Sequence, residues 1–344
     1  MNGRHGLSRG SVSLGIALLS VSLLLSTVTV RAFLNDRGTP ASSSVPATPS
    51  LAADWQQGGG LAPVPTAEVT PSPSATPPAV TPATPINLAA PLSARGAVLV
   101  DAASGTVLYE QQADEPLPPA STAKIVTALT VMRHARPEEV VTIVADDVVD
   151  PALESSMGLQ AGDTVTVHDL LVGLLLPSGN DAARALARFV GERLPEPPDA
   201  APSERFVAEM NAVAEHLGMT SSRFIDPAGD DVDGQVTTAR DLAQAAQALI
   251  SSRTLLSIVA MPQAEVRIGG PQARSVLLTN TNELLREEYV YGIKTGTTPK
   301  AGECLVVAYR GRGADEIAVI PGSSARYADG RLLLGLLPAA TPQP

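Results

Sequence analysis

The chain has 344 residues and a formal net charge of −11, and it contains one cysteine and four histidines. Its basic residues are scattered along the chain, which excludes the electrostatic footprint of a nucleic-acid-binding protein. A single cysteine cannot form an intrachain disulfide, and the histidines lack the spacing of metal ligands. We therefore expect no metal and no other cofactor, and we expect Cys304, which lies in an apolar run, to be a small buried packing residue.

A stretch of 20 residues without a charge runs from Ser11 to Val30, after Arg4 and Arg9. A helix of this length spans about 30 Å of hydrocarbon, and the positive flank orients residues 1–10 towards the cytoplasm. No small-x-small cleavage site follows the stretch. We predict a single-pass membrane anchor at residues 11–31 with the rest of the chain outside the cytoplasm. A cleaved signal peptide, which would leave a secreted protein, is the alternative.

Residues 32–92 are rich in Pro, Ala, Ser and Thr and predict a disordered linker. Residues 93–338 form the predicted globular domain, and residues 339–344 are a tail. The domain opens with a β-hairpin pattern at 96–110, continues with a buried helix after Ser121 and further helical patterns, and closes with three strand patterns and a helix. The further patterns are helices at 168–176, 181–192, 204–216 and 238–250, strands at 289–297, 304–309 and 316–321, and the closing helix at 326–337. This order predicts an α+β fold with an antiparallel sheet packed against a helical cluster.

Lysine is rare in this chain: of 24 basic residues only Lys124, Lys294 and Lys300 are lysine. An arginine stays charged, whereas a buried lysine can lose its proton and act as a base. In Ser121-Thr122-Ala123-Lys124 the serine hydroxyl and the amine lie three residues apart, on one face of a helix start. The amine can activate the hydroxyl only if its pKa falls from about 10.4 towards 7, and burial shifts it in that direction.

Two further motifs follow in the chain. Ser178-Gly179-Asn180 predicts a tight loop between two helices, for which an ordinary helix cap is the alternative interpretation. Lys294-Thr295-Gly296 lies on a predicted strand. There a cation, a hydroxyl and a backbone without a side chain could line a groove for an extended peptide that ends in a carboxylate.

Taken together, the three motifs resemble the signatures of penicillin-recognising serine enzymes. Their flanking residues are similar to low-molecular-mass penicillin-binding proteins of the D-alanyl-D-alanine carboxypeptidase type, a serine D,D-peptidase family. The resemblance implies a β-lactamase/transpeptidase-like fold with a five-stranded antiparallel sheet. It also implies an enzyme that trims the D-Ala-D-Ala ends of peptidoglycan stem peptides through an acyl-enzyme, with β-lactams as covalent inhibitors.

The resemblance also implies roles for individual residues. The implied catalytic residues are the nucleophile Ser121, its base Lys124, and Ser178 and Asn180 for proton relay and the substrate amide. The implied substrate-binding residues are Lys294, Thr295, Gly296, Thr297 and Arg326. Backbone N–H groups of Ser121 and Thr297 would form the oxyanion hole. Arg326 rests only on its place in the closing helix, where a solvated charge is the alternative.

Two elements depart from the family pattern. Asp226-Pro227-Ala228-Gly229-Asp230 replaces the usual Asn-Pro-His-Gly-Leu, and Gln235-Val236-Thr237-Thr238-Ala239 replaces His-Tyr-Ser-Thr-Ala. The acidic stretch at 226–233 could lie near the site or form a solvated turn.

Three other functions remain open at this point. A D,D-endopeptidase and an inactive penicillin-binding wall module share the motifs. A class A β-lactamase would also need a deacylating glutamate in an E-x-x-L-N element, and Leu-Asn occurs only at Leu34-Asn35.

Overall fold

A computed structural model describes residues 88–335 except residues 196, 312 and 313. The predicted anchor at 11–31, most of the predicted linker and the predicted tail lie outside the described residues. Within the described part of the chain, no helix is long and apolar enough to cross a membrane.

The predicted elements appear in the expected order, and the structure adds four strands and one helix. The strands are β1 (Ala97–Asp101), β2 (Val107–Gln111), β3 (Val140–Thr142), β4 (Thr164–Thr166), β5 (Gln263–Ile268), β6 (Arg274–Thr279), β7 (Val290–Thr298), β8 (Gly302–Arg310) and β9 (Asp315–Ser323). The helices are α1 (Lys124–His134), α2 (Val167–Leu175), α3 (Asn180–Gly191), α4 (Pro202–His216), α5 (Ala239–Ser251), α6 (Arg253–Val259) and α7 (Arg326–Leu333).

One antiparallel sheet organises the domain, with strand order β2-β1-β9-β8-β7. Both faces of this sheet are buried, so alternate residues of a strand pack into two different hydrophobic clusters. On β8, Val306 packs into the core shared with the helical cluster, whereas Leu305 packs with Leu333 of α7 on the other face. This explains the unbroken apolar run around Cys304, which is itself buried as predicted. The predicted α+β class with a five-stranded antiparallel sheet is confirmed.

Helix α1 lies at the centre of the helical cluster, as its apolar sequence predicts. Its residues Lys124 to Val131 are all buried, and it contacts α2, α3, α4 and α5. A short 3-10 helix, Ala120–Ala123, precedes α1 and packs against β7. The first residues of the central helix therefore lie where the cluster meets the edge strand of the sheet.

Two small sheets, β3–β4 and β5–β6, were not predicted from the sequence. In β5 every second residue is exposed or only partly covered, and Glu265 and Arg267 are on the exposed face. Its residues nevertheless alternate strictly between polar and apolar, which is the pattern of a half-buried strand, so this strand could have been recognised from the sequence.

A loop that lies between β3 and β4 is tied to the start of α3 by the buried carboxylate of Asp181. This carboxylate accepts hydrogen bonds from the backbone N–H groups of Met157 (3.0 Å), Gly158 (3.1 Å) and Leu159 (3.1 Å), and from the Ser156 hydroxyl (2.6 Å). Because a buried carboxylate without donors would be costly, these bonds hold the loop closely against α3.

Candidate active site

Ser121 lies in the 3-10 helix and Lys124 is the first residue of α1, so the two side chains share one helical face. The Lys124 Nζ is 3.0 Å from the Ser121 Oγ. The same Nζ donates to Asn180 Oδ1 (2.8 Å) and to the backbone oxygen of Ala228 (2.7 Å). Both of these oxygens can only accept hydrogen bonds, so two N–H groups of the amine are committed to them. The remaining position of the nitrogen faces the Ser121 hydroxyl.

Burial changes the acidity of this amine. Lys124 is fully buried, and desolvation lowers the pKa of its ammonium from 10.5 to about 8. Carboxylates around it act in the opposite direction and limit the shift; they belong to Asp230, Asp226, Asp181 and Glu154. With a pKa near 8, roughly a tenth of the amine is neutral at pH 7, which is enough for it to accept a proton.

The Ser178-Gly179-Asn180 motif forms the turn between α2 and α3. Neither polar side chain caps the helix, so the helix-cap interpretation is wrong. Instead, the Asn180 amide spans the site, because its Oδ1 accepts from Lys124 while its Nδ2 donates to Glu154 Oε2 (2.9 Å). Ser178 has φ +67°, and its buried Oγ has no hydrogen-bond partner among the described residues. That hydroxyl lines the cleft, where an entering group can bond to it.

Strand β7 forms the opposite wall of the cleft and approaches the nucleophile closely. A Cβ atom at Gly296 would lie 2.8 Å from the Ser121 backbone nitrogen and 2.9 Å from the Ala120 Cβ. Only glycine permits this approach. Beside it, the Thr295 hydroxyl shares a hydrogen bond of 2.6 Å with the Thr281 hydroxyl.

Lys294 is buried beneath this wall, where its Nζ donates to the backbone oxygen of Thr295 (3.0 Å). Desolvation, together with the nearby charges of Lys124 and Arg326, holds the pKa of Lys294 well below its usual range. An anion that enters the cleft would favour the charged form of this amine, because opposite charges stabilise each other.

Arg326 begins α7, and its side chain is only 10% exposed. Its guanidinium donates to the backbone oxygens of Gly296 (2.7 Å) and Cys304 (3.1 Å) and to the Thr297 hydroxyl, and its Nε is 3.3 Å from Glu303 Oε2. The solvated-charge interpretation of Arg326 is therefore wrong. The guanidinium places a permanent positive charge in the wall of the cleft.

A cleft of about 380 Å³, which we call the catalytic cleft, opens beside Ser121 between the Ser178 turn and β7. Its lining residues are Ser121, Ser155, Ser178, Thr281, Glu283, Thr295, Gly296, Thr297, Glu303, Arg326 and Tyr327. The structure thus brings residues of all three sequence motifs together, with Lys124, Asn180 and Lys294 buried behind the surface. Among the described residues, no group of histidine, cysteine, aspartate and glutamate side chains could hold a metal ion.

The acidic stretch has a structural role that the sequence did not reveal. Asp226 Oδ1 accepts hydrogen bonds from the backbone N–H groups of Ala228 (2.8 Å), Gly229 (2.6 Å) and Asp230 (3.0 Å). This turn directs the Ala228 carbonyl towards Lys124. A carboxylate oxygen accepts these bonds as an asparagine oxygen would, so aspartate at position 226 preserves the turn.

The same loop packs against the residue before the nucleophile. Gly229 has φ +91°, and a Cβ atom there would lie 2.0 Å from the Ala120 backbone oxygen. Further along, Asp231 Oδ1 accepts from the Thr298 hydroxyl at the end of β7 (2.6 Å). The solvated-turn interpretation fits Asp233, whose side chain is 96% exposed, whereas Gly229 packs against the residue before the nucleophile and Asp231 bonds to β7.

Sequence reasoning missed Ala228, Gly229 and Glu154. Ala228 acts through its backbone oxygen, which carries no residue signature. Gly229 was the available signal for a close approach of the backbone. Only the structure shows that the segment it approaches is the backbone at Ala120.

Comparisons with known proteins agree with this geometry. A family model described as D-alanyl-D-alanine carboxypeptidase matches residues 81–324. DacF of Bacillus subtilis is 31% identical over 67% of this chain, and DacC of Escherichia coli is 37% identical over 63% of it. Both are D-alanyl-D-alanine carboxypeptidases by name, and the chain spans only 58% and 53% of their lengths, a little more than half.

A solved structure shows the same fold. The crystal structure of the DD-transpeptidase of Streptomyces K15 superposes with a TM-score of 0.67 and 31% identity, and the match covers 72% of this chain and 97% of that one. Because the family model spans well over half of the sequence, the chain belongs to the D-alanyl-D-alanine carboxypeptidase family.

Proposed function

We propose that this protein is a serine-type D,D-carboxypeptidase that trims the D-Ala-D-Ala ends of peptidoglycan stem peptides through an acyl-enzyme on Ser121. One observation carries the proposal: a buried amine, that of Lys124, lies 3.0 Å from the Ser121 hydroxyl and has its other contacts occupied by carbonyl oxygens. A burial-lowered pKa and the membership of the family support the same assignment.

Acylation begins when Ser121 Oγ attacks the carbonyl carbon between the two D-alanines and Lys124 accepts its proton. The carbonyl oxygen becomes an oxyanion, which the backbone N–H groups of Ser121 and Thr297 stabilise. The C–N bond then breaks as the proton held by Lys124 passes through the Ser178 hydroxyl to the leaving nitrogen. D-alanine departs, Lys124 becomes neutral, and an ester remains on Ser121. Asn180 Nδ2, which has a second hydrogen, orients the substrate amide.

Hydrolysis regenerates the enzyme. Lys124, again neutral, takes a proton from a water molecule that attacks the ester carbon, and the proton returns to Ser121 as the C–O bond breaks. The products are the shortened stem peptide and free D-alanine.

A positive wall would favour a substrate with a free carboxyl end, because Arg326 lines the cleft and Lys294 is buried behind it. In our proposal the terminal carboxylate bonds to the Thr295 hydroxyl and to Arg326, and its charge draws a proton onto Lys294. A residue without a free carboxylate at that position would offer no charge to these groups and should bind less tightly. We favour a carboxypeptidase over a D,D-endopeptidase because the matching family model is described as D-alanyl-D-alanine carboxypeptidase.

We expect β-lactams to acylate Ser121 and to remain attached. After D-alanine leaves, its space is open to water, but the opened β-lactam ring stays on the acyl group and blocks the approach. No E-x-x-L-N element supplies a deacylating carboxylate of the class A β-lactamase type. An inactive wall module is disfavoured because the nucleophile and its base are within hydrogen-bonding distance.

We also propose that residues 11–31 anchor the protein in the cell membrane, with residues 32–92 as a spacer and the catalytic domain outside the cytoplasm. The charge-free segment after two arginines supports this location, and so does a substrate that lies in the cell wall.

Incubation of the full-length protein with a pentapeptide stem should yield the tetrapeptide and free D-alanine, measured by mass spectrometry. Ser121→Ala should abolish turnover and penicillin labelling. Lys124→Arg should lose roughly 100- to 10,000-fold in kcat/KM, because a guanidinium cannot accept the proton. Lys300→Arg, at an exposed lysine, is the matched control and should retain full activity. Penicillin labelling that persists in Ser121→Ala would place the nucleophile elsewhere.

Gly296→Ala should slow acylation by roughly 100-fold or more, the cost of losing one oxyanion-hole donor. The added methyl group would lie within 2.8 Å of the Ser121 backbone nitrogen and would push β7 away from it. The rate of penicilloyl-enzyme formation is the measurement, with circular dichroism to establish folding. A folded Gly296→Ala variant that acylates at the wild-type rate would argue against an oxyanion hole between Ser121 and β7.

Fractionation of cells that express the full-length protein should find it in the membrane pellet, resistant to alkaline extraction and released by detergent. A Leu18→Arg/Leu24→Arg variant, which places two charges in the apolar stretch, should lose this association. A soluble protein with its N-terminus near residue 32 would instead identify a cleaved signal peptide.

A further inference from the structure

Glu154 lies outside the three motifs, yet its carboxylate reaches the catalytic residues. Its Oε2 accepts a hydrogen bond from Asn180 Nδ2 (2.9 Å), and Arg184 Nη2 donates to both of its oxygens (3.0 and 2.9 Å). Asn180 Oδ1 in turn accepts from Lys124, which contacts Ser121. An unbroken line of hydrogen bonds therefore runs from an arginine at the protein surface to the nucleophile.

The backbone around Glu154 is fixed, so this contact is built into the fold. The backbone N–H of Asn180 donates to the backbone oxygen of Ser155 (2.8 Å), and Asp181 holds residues Met157 to Leu159. Arg184 lies on α3, one turn after Asn180. The carboxylate is thus held between two residues of the same helix, although 28% of its side chain is exposed.

A carboxylate at this position determines which way the Asn180 amide faces. An ionised carboxylate only accepts hydrogen bonds, so it selects the Nδ2 end of the amide and turns the Oδ1 end towards Lys124. With the amide reversed, Nδ2 would point at the amine. It would then repel the ammonium or donate to the lone pair that must accept the proton of Ser121. The reversed amide would disable the base.

We propose that Glu154, held by Arg184, is a positioning residue for acylation: its carboxylate fixes the orientation of the Asn180 amide and thereby directs the free position of the Lys124 amine at Ser121. This inference rests on the proposed acyl-enzyme. It assigns a role to a loop residue that does not contact the reacting atoms.

Glu154 also contributes charge to a crowded site. The charged and titratable groups that face Lys124 come from the loop, from α3, from the acidic stretch and from β7; they are Glu154, Asp181, Asp226, Asp230 and Lys294. Removing one anion from this set favours the neutral form of Lys124. Removing Arg184 leaves the charge of Glu154 uncompensated and favours the ammonium.

Glu154→Gln separates the positioning role from a merely structural one. Glutamine keeps the length of the side chain, but it can pair with either end of the Asn180 amide and no longer selects one orientation. The acylation rate on its alkaline plateau should therefore fall about twofold or more. The acid limb of the pH–rate profile, where Lys124 gains its proton, should move to lower pH by about half a unit or more, because an anion near the amine has been removed. Arg184→Leu should move the same limb to higher pH. Asp146→Asn, at an exposed carboxylate, is the control and should move nothing.

The measurement is the second-order rate of penicilloyl-enzyme formation against pH, followed by intact mass on the full-length protein. Absence of any adduct in the wild type would contradict the proposed function itself. An adduct that forms with the same rate and the same acid limb in wild type and in a folded Glu154→Gln would overturn the positioning role. Unchanged acylation with an adduct lifetime lengthened tenfold would also overturn it, because Glu154 would then be the deacylating base. Should Glu154→Gln fail to fold, the alkaline plateau of Arg184→Leu decides, because Arg184 holds the carboxylate in place, and an unchanged plateau contradicts the inference.

Discussion

Burial of the Lys124 amine is the constraint on which the site depends. An amine in the interior of a domain must have its hydrogen bonds satisfied, and here the Asn180 side chain and the Ala228 backbone supply two carbonyl oxygens. The third direction is left for the Ser121 hydroxyl. The same burial that favours loss of the proton thus also directs the lone pair. Acidity and direction, the two requirements of a general base, have one physical cause.

The backbone must come unusually close to the nucleophile for this arrangement to form. Gly229 packs against the carbonyl of Ala120, and Gly296 packs against the backbone nitrogen of Ser121. The two glycines belong to different elements, the acidic stretch and β7, and Asp231 joins those elements through Thr298. The start of the central helix is therefore held from both sides, which allows a helix end to serve as a rigid catalytic platform.

Much of this was accessible from the sequence, because side chains with distinctive chemistry recur at fixed spacings. The fold class, the central helix and the closeness of Ser121 and Lys124 followed from such patterns. Two kinds of feature did not. Ala228 acts through its backbone, and Glu154 reaches Asn180 only because Asp181 fixes the loop. The strand β5 was overlooked although its polar and apolar residues alternate as those of a half-buried strand do. From the sequence, Arg326 could be either a substrate-binding residue or a solvated charge. Only its hydrogen bonds to β7 and β8 exclude the solvated charge.

The acidity of Lys124 tests the central claim most directly. The chain contains only three lysines, so labelling of the lysine side chains with ¹³C gives few NMR signals, each assignable by an arginine substitution. We predict that the signal lost in Lys124→Arg titrates with a pKa near 8 in the wild-type protein. A titration midpoint at or above 10.5, the ordinary value for lysine, would contradict the account, because the amine would then remain charged and could not accept the proton of Ser121.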